Sequence, residues 1–449
     1  MQAPGSAVAS ATGRTADDTP PVLYRGEVHR AFKRYAETTH RVCTPEETLE
    51  RIEPILPMAG ITRMADVTGL DRIGIPTILA MRPNAPTLAN SSGKGFTLAA
   101  AKVSAAMEGI ELFCAEEEGH FPFEAIHATH AELERDGLAA PAELLPLAKW
   151  SLFHRETLET WVIGFDILGQ REVAVPYEVV GMGSAYLRGH WAFKRYSFQV
   201  GSNGLASGNV WLEAVCAGLA EVIERDAVAC TMLRHRGHAS ALPRVDLSTI
   251  PYDSVRSLVE RLRGTGILPI LLDCTVDTAV PTYVAYLLDE KIPSSGVFRG
   301  YGTHLHPEVA MVRALTEAVQ GRCVYIAGSR DDMATLEHLR LRSARHASLF
   351  DVARAGGGVD ASSISTEATS TFEGDCHALL RAVSRVGLEH VVVVNLTWPE
   401  LGMPVVRVVV PGLEGYSAFR HYAPGPRGRA AIEQAKLAAA AGEAGDGSV

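Results

Sequence analysis

Ser91-Ser-Gly-Lys-Gly-Phe96, followed by Ser104-x-x-x-Glu108-x-x-Glu111, and Ser202-Asn-Gly-Leu-Ala-Ser-Gly208, followed by Glu213, Glu221 and Glu224, are the stretches on which the reading of this chain turns. In each, a loop of small residues leads into a segment with helical apolar spacing, and each helix carries Glu-x-x-Glu. Laying Glu108 on Glu221 also lays Glu111 on Glu224, since 221−108 and 224−111 both equal 113. Residues three apart share a helix face, so each pair aims two carboxylates at one point. The loop-helix units at 91–113 and 202–226 therefore predict an internally duplicated, pseudo-twofold body with the two helices meeting at a shared centre.

The neighbours of these carboxylates are apolar and small, in Val103-Ser-Ala-Ala-Met-Glu-Gly-Ile-Glu-Leu-Phe113 and Ala217-Gly-Leu-Ala-Glu-Val-Ile-Glu-Arg225. If both faces are buried, the four carboxylates need cations, because an unpaired buried charge is strongly destabilising. Mg²⁺ fits such a set: it is a hard ion that takes oxygen ligands and bridges carboxylates to phosphates. Arg225, next to Glu224, and Lys94, in the first small-residue run, are cations for phosphate oxygens. Asn209 and Glu213, four apart, add a polar pair one turn earlier, and Met311 to Arg322 repeats the spacing with Arg313 and Glu317, extended by Gln320. Each feature has an ordinary counterpart. Glu-x-x-Glu is a common solvated helix face, and Arg313 with Glu317 also reads as an intrahelical ion pair.

Composition bounds the answer further. A net charge of −10 over 449 residues argues against a nucleic-acid surface, which needs clustered Lys and Arg, but leaves room for a nucleotide held by metal and a few local cations. Cys43, Cys114, Cys216, Cys230, Cys274, Cys323 and Cys376 form no C-x-x-C pair, so neither a zinc site nor a disulfide framework is expected, and none of them is expected to carry sulfur chemistry. Without a signal pattern or a long apolar run, the expectation is a soluble cytoplasmic protein with no membrane segment. There is no P-loop motif, no Ser-His-Asp or Cys-His grouping, and no H-E-x-x-H. His304 and His306, beside Gly302, read as turn-stabilising or solvated, with acid-base work as the alternative.

Thr44-Pro-Glu-Glu-Thr-Leu49 predicts a capped helix start, and Thr77-Ile-Leu-Ala80, Val173-Ala-Val175 and Val391-Val-Val-Val-Asn395 predict strands among helices, hence a mixed α/β fold. Residues 1–25 are expected to be a disordered extension, 26–430 the catalytic domain, and 431–449 a mobile Ala/Gly-rich tail in which a helix is the alternative. Gly356 to Thr371 predicts a surface loop.

Arg41-Val-Cys-Thr-Pro-Glu-Glu-Thr-Leu-Glu-Arg-Ile52, Gly60-Ile-Thr-Arg-Met-Ala-Asp-Val-Thr-Gly-Leu-Asp-Arg-Ile-Gly-Ile-Pro76, Ser92-Gly-Lys-Gly95 and the ordered Glu, Asn and Arg positions above together resemble the YcaO family, from about Arg41 to Leu413. The resemblance implies a mixed α+β fold whose pseudo-repeat encloses a Mg²⁺·ATP site unlike a P-loop. It implies metal ligation by Glu108, Glu111, Glu213, Glu221 and Glu224, and nucleotide contacts from Arg41, Thr48, Lys94, Ser104, Asn209, Glu213, Arg225, Arg313 and Glu317. Catalytic roles fall on Glu108, Glu221, Glu224 and Arg225.

The implied activity is ATP-dependent phosphorylation of a backbone amide oxygen in a ribosomally made precursor peptide, so that phosphate becomes the leaving group. Sulfide as nucleophile then gives a thioamide, a Cys, Ser or Thr side chain gives an azoline, and the N-terminal amine gives a macroamidine. Many azoline-forming members end in Pro-x-Pro-x-Pro, of which Pro424-Gly-Pro426 is only an echo, and the segments from Gly60 and Ser92 resemble stand-alone members, some of which work with a TfuA-type partner. Thioamide formation is therefore the leading expectation, with a TfuA-like or leader-binding partner and a homo-oligomer compatible. A non-catalytic ATP-binding assembly protein and a carboxylate-bridged redox metal protein remain as other classes, the second without the Glu-x-x-His of di-iron bundles.

Overall fold

The computed structural model describes residues 19–116, 125–182, 197–329, 347–415 and 422–445. In chain order the strands are β1 (Val22–Tyr24), β2 (Glu27–His29), β3 (Arg63–Asp66), β4 (Thr77–Met81), β5 (Asn90–Lys94), β6 (Ala125–Thr129), β7 (Leu158–Asp166), β8 (Arg171–Pro176), β9 (Leu205–Ser207), β10 (Ile267–Asp273), β11 (Thr282–Asp289), β12 (Val297–Thr303), β13 (Val392–Asn395) and β14 (Val405–Val409). The helices are α1 (Pro45–Ile52), α2 (Leu98–Glu116), α3 (His130–Arg135), α4 (Trp211–Arg234), α5 (Asp253–Gly264), α6 (Pro307–Ala327), α7 (Ala347–Arg354), α8 (Phe372–Arg385) and α9 (Pro426–Gly445). Strands and helices alternate as the sequence predicts, and among the described residues every strand pair is antiparallel.

The start of α1 follows the expected chemistry. Thr44 Oγ1 accepts from the Glu47 amide at 3.2 Å while Glu47 Oε2 accepts from the Thr44 amide at 2.9 Å, and Pro45 takes the first helical position where no N–H is needed. The three predicted strands fall on β4, β8 and, but for Val391, β13, and the 356–371 stretch is a loop interrupted by one 3-10 turn at Ala361–Ser363.

The small-residue runs are partly strand, with residues 95–96, 202–204 and 208 remaining turn or irregular. Residues Asn90–Lys94 form β5, and Leu205–Ser207 form β9. Gly93 carries no side chain because β5 lies directly on the backbone of α2: a Cβ there would sit 2.1 Å from Ala105 N and 2.3 Å from Ala101 O. A matching contact recurs elsewhere, where a Cβ on Gly302 of β12 would sit 2.1 Å from Ala310 O and 2.6 Å from Ala314 N of α6. Here 302−93, 310−101 and 314−105 all equal 209. Each copy is a three-stranded sheet, β3-β4-β5 or β10-β11-β12, with its last strand packed on the following helix. The repeated strand–helix contact thus joins α2 to α6, not the predicted 91–113 to 202–226. Buried ion pairs tie the copies together: Arg322 of α6 lies 3.0 Å from both Asp71 and Asp289, and Arg72 lies 2.6 Å from Asp289.

Helix α4 lies against a third sheet, ordered β6-β7-β13-β14-β9 with β8 also on β7, and packs further on α8 and α9. Two predicted boundaries move. Residues 1–18 of the expected N-terminal extension lie outside the described residues, but Val22 and Tyr24 are already buried strand residues, Tyr24 meeting Phe165 edge-on at 5.4 Å. At the other end, the stretch from 431 is helical as far as Gly445, because Ala431 and Ala435 are buried and Arg427 ion-pairs with Asp226 at 2.9 Å and Asp277 at 2.5 Å. Small alanines let α9 approach α4 closely enough for Arg234 Nε to donate to Gln434 at 3.0 Å.

Because nothing at the β5–α2 contact is a flexible side-chain end, Gly93→Ala is expected to cost about 3 kcal/mol or more. Gly264→Ala, which places its methyl in open space, is expected to be neutral or stabilising. Denaturant unfolding of the two variants checks the difference.

Candidate active site

Helices α2, α4 and α6 bring Glu108 and Glu111, Glu221 and Glu224, and Glu317 into mutual electrostatic range. Glu108 and Glu221 both act on Glu111, and Glu317 and Glu221 both act on Glu224. The strands that pack on these helices supply donors. Glu108 Oε2 accepts from the Ser92 amide of β5 at 3.1 Å, and Glu317 Oε1 accepts from the Tyr301 amide of β12 at 3.2 Å, the same contact in the two copies of the repeat. Glu111 Oε1 accepts from the Ser207 amide at 2.8 Å and from its hydroxyl at 2.6 Å. Contacts also cross between copies: Lys94 Nζ is 3.6 Å from Glu317 Oε2, and Gln320 Nε2 donates to Ser92 O and Oγ at 2.7 Å each. Glu317 thus turns to Lys94 and Tyr301 instead of closing a simple pair with Arg313.

Burial dominates the titration of this group. It pushes Glu111 up to about 8, opposed by the Ser207 hydroxyl and reinforced by Glu108 and Glu221. Glu224 goes up to about 7 by burial, which Arg225 opposes and Glu317 and Glu221 reinforce. Glu221 is raised by burial against the pull of Arg225, Arg407 and Arg313. Arg225 stands over the α4 pair, 3.8 Å from Glu221 and 3.9 Å from Glu224. Arg313 has a buried Nε with no hydrogen-bond partner.

Arg407 is a residue that the sequence reading missed. It is fully buried, donates to Val180 O at 2.8 Å and Asn203 O at 2.9 Å, and is pulled down to about 10 by burial while Glu221 and Glu111 hold it up. The available signal was an arginine inside the valine run Val405-Val-Arg-Val-Val409, where a buried strand otherwise tolerates only apolar residues.

A second group forms the rim. Arg41 Nε lies 3.0 Å from Glu213 Oε1, the Val42 amide donates to Glu213 at 3.4 Å, and Thr48 Oγ1 donates to Asn209 Oδ1 at 3.1 Å. Arg51, also missed, donates to Asn209 Oδ1 at 3.3 Å. Burial raises Glu213, and Arg41 opposes it. Glu213, expected among the metal ligands, is therefore engaged by Arg41 and a backbone amide. Ser104, half-buried, occupies on α2 the repeat position that Arg313 occupies on α6.

This donor set fits a bound nucleotide with divalent ions. Burial has raised three clustered carboxylates, so the cage is short of positive charge, and hard oxygen ligands are what Mg²⁺ takes. Lys94, Arg225, Arg313 and Arg41 offer donors for phosphate oxygens, Arg313 with an unused one. By contrast, a recess of about 500 Å³ between the end of α4 and α9, lined by Met232, Leu233 and Ile432, contains none of these residues. All seven cysteines are free and six are buried; burial pushes Cys114 up to about 12 and Cys323 to about 11, so both are held as thiols.

Fold and cage together define a nucleotide-and-metal protein outside the P-loop class. The chain belongs to the YcaO family: the family model described as YcaO cyclodehydratase, ATP- and Mg²⁺-binding, matches residues 92–414. ATP and Mg²⁺ are its cofactors, and it is an ATP-dependent enzyme of that family. A protein of Rhizobium leguminosarum bv. trifolii described by its place in the tfuA 3′ region is 34% identical, over 87% of this chain and 92% of that protein. The YcaO of Methanopyrus kandleri, solved with AMPPCP and Mg²⁺, aligns with a TM-score of 0.66 and 25% identity over 88% of this chain and 98% of its own. A heterocyclase solved with substrate and cofactor shares the fold at a TM-score of 0.73 and 22% identity, over 93% of this chain but only 58% of that one. Among the described residues, no helix is long and apolar enough to cross a membrane.

The raised carboxylates give a signed pH dependence. Above the ordinary carboxylate value of 4.5, the unfolded chain has released protons that folded Glu111 and Glu224 keep until about 8 and about 7. Metal-free protein is therefore expected to lose stability as pH rises through that window. It should melt at a higher temperature near the bottom of the window than at its top. Mg²⁺ should restore the loss at the alkaline end and release protons on binding, which titration calorimetry in buffers of different ionisation enthalpy reads directly.

Proposed function

We propose that this chain activates a backbone amide of a ribosomally made precursor peptide by phosphorylating the amide oxygen, for replacement of that oxygen by sulfur. The observation that carries the reading is the set of carboxylates from α2 and α4, of which Glu111, Glu221 and Glu224 are raised by burial, with Arg225, Arg313 and Arg407 acting on them. ATP with Mg²⁺ supplies the phosphoryl group that turns the amide oxygen into a leaving group.

Glu108, Glu111, Glu221 and Glu224 would hold the metal ions, with Glu317 beside them, in a low-dielectric centre where each charge acts strongly. Arg225, Arg313 and Lys94 orient phosphate oxygens, so that the peptide carbonyl meets a fixed target. Arg407, behind the cage, stabilises Glu111 and Glu221 in their ionised, ligating forms. Arg41 with Glu213, and Thr48 with Asn209, close the nucleotide from the rim. Ser104 lines the α2 side. Sulfide adds to the carbonyl carbon, the C–O bond breaks as phosphate leaves, and ATP ends as ADP and phosphate.

The choice of sulfide rests on the relative in the tfuA 3′ region, alike over most of both chains, and on the stand-alone character of the segments from Gly60 and Ser92. A TfuA-like or leader-binding protein is the partner proposed to bring the peptide, raising the local concentration of the reacting amide. The free cysteines suit a reducing cytoplasm.

Glu221→Gln keeps the side-chain volume and removes the charge that holds metal, so the variant is expected to fold normally and lose at least about a hundredfold in ATP turnover. Intact mass of a precursor peptide after incubation with enzyme, partner, ATP, Mg²⁺ and sulfide is expected to show exchange of one oxygen for sulfur. Loss of one water instead assigns an azoline or amidine product. Nucleotide binding with neither turnover nor a mass change assigns the non-catalytic assembly role.

A further inference from the structure

Where the N-terminal segment crosses the start of α8, His40, His304 and Asp375 each offer a ligand atom within 4.8 Å of the others, a separation suited to a metal ion. The chain itself already supplies the cation there. Lys33 Nζ lies 2.5 Å from Asp375 Oδ2, 2.7 Å from the Thr369 carbonyl oxygen and 3.0 Å from His40 Nδ1. An ammonium has three N–H donors, and these three acceptors use all of them. The Lys33 and Asp375 side chains are each only 4% exposed, so this ion pair is shielded from water. His40 is pushed down to about 3 by burial first, then by Lys33, His306 and Arg41, and so stands neutral as an acceptor.

This ammonium sits at the root of a hairpin. The segment before it is laced to α8: Ala31 N donates to Glu373 Oε2 at 3.0 Å, Phe372 N to Ala31 O at 2.8 Å, and Lys33 N to Ser370 O at 3.2 Å. The chain then folds back, with Tyr35 N donating to Arg41 O at 3.0 Å and Arg41 N to Tyr35 O at 2.9 Å. The turn returns His40 to the ammonium and presents Arg41 to Glu213. On its far side His40 meets the His304 ring edge-on at 4.8 Å, and His304 Nδ1 accepts from the His306 amide at 2.9 Å, the turn-stabilising role expected of it. That turn opens α6, which carries Arg313 and Glu317.

We propose that Lys33 is a positioning residue: its buried ammonium, caged by Asp375, Thr369 and His40, sets the 35–41 hairpin so that Arg41 is held at the rim of the nucleotide site. The proposal rests on the reading of Arg41 as a nucleotide contact. Without the ammonium, Asp375 is an unpaired buried charge, His40 loses its donor, and the hairpin has no fixed root.

The test is a double-mutant cycle in the full chain, reading the affinity for a non-hydrolysable ATP analogue with Mg²⁺ by calorimetry, with melting temperatures as a check on folding. Lys33→Met and Arg41→Met are each expected to weaken binding about tenfold, and the double variant to be no weaker than Arg41→Met alone, because both changes remove one contact. In Lys33→Ala, added propylammonium is expected to restore affinity, while tetramethylammonium, which has no N–H donor, is not. His40→Ala, which leaves the Lys33–Asp375 pair intact, serves as a second variant with the same expected non-additivity. Wild-type affinity in both Lys33→Met and His40→Ala, or losses that add in full in the double variant, overturns the positioning role while leaving Arg41 at the site. Wild-type affinity in Arg41→Met overturns the reading of Arg41 and the proposal with it.

Discussion

A carboxylate taken out of water must find a cation, hydrogen-bond donors or a proton, and Glu111, Glu221 and Glu224 are raised together because burial has removed water faster than the fold has supplied charge. Much of the architecture answers to that constraint. Ser92, Ser207 and Tyr301 offer backbone amides to Glu108, Glu111 and Glu317, and they reach because their strands lie close to the helices that carry the carboxylates. Close approach in turn demands glycine at Gly93 and Gly302, where any Cβ would strike helix backbone. A local sequence preference, a packing distance and the electrostatics of the centre are thus one requirement.

The cage also lies at a seam. Lys94 and Gln320 exchange partners across the two copies of the repeat, and the pairs that Arg322 makes with Asp71 and Asp289 clamp the same copies farther out. Helix α4, outside the repeat, brings the second Glu pair and rests on β14, the strand that carries Arg407. Phosphates placed between three independently anchored helices would feel fixed charges that need not reorganise during transfer, which is the main source of catalytic power in phosphoryl chemistry.

Much of this was legible in the sequence, and for stated reasons. The Glu-x-x-Glu pairs were visible because helix geometry turns a spacing of three into a shared face, and the Thr44 capping box because its chemistry is local. The small-residue runs misled in part: a strand that lies flat on a helix and a flexible loop both favour glycine and serine. The repeat in Phe298-Arg-Gly-Tyr-Gly-Thr303 went unnoticed because its helix carries Arg313 and Gln320 where α2 carries Ser104 and Glu111, so the chemistry diverges while the packing glycine and Glu317 persist. At the N-terminal end the leading expectation failed, and at the C-terminal end the alternative, a helix, is what forms. Val22 and Tyr24 are few but find a buried place, and the alanines of α9 bind by fitting closely. Lys33 depends on contacts to Asp375 and Thr369 more than 300 positions away, and the bond from Ser207 to Glu111 joins separate elements, which no local pattern records; Arg407 left only the break in its valine run.

In the proposed function the carboxylates of α2 and α4 jointly hold metal with the nucleotide. Counting Mn²⁺, as a stand-in for Mg²⁺, by electron paramagnetic resonance in the presence of a non-hydrolysable ATP analogue tests it most directly. The predicted result is more than one tightly bound ion per wild-type chain, with ions lost in Glu108→Gln and likewise in Glu224→Gln although the two residues sit on different helices. An unchanged Mn²⁺ count in either variant, with the nucleotide still bound, would contradict it.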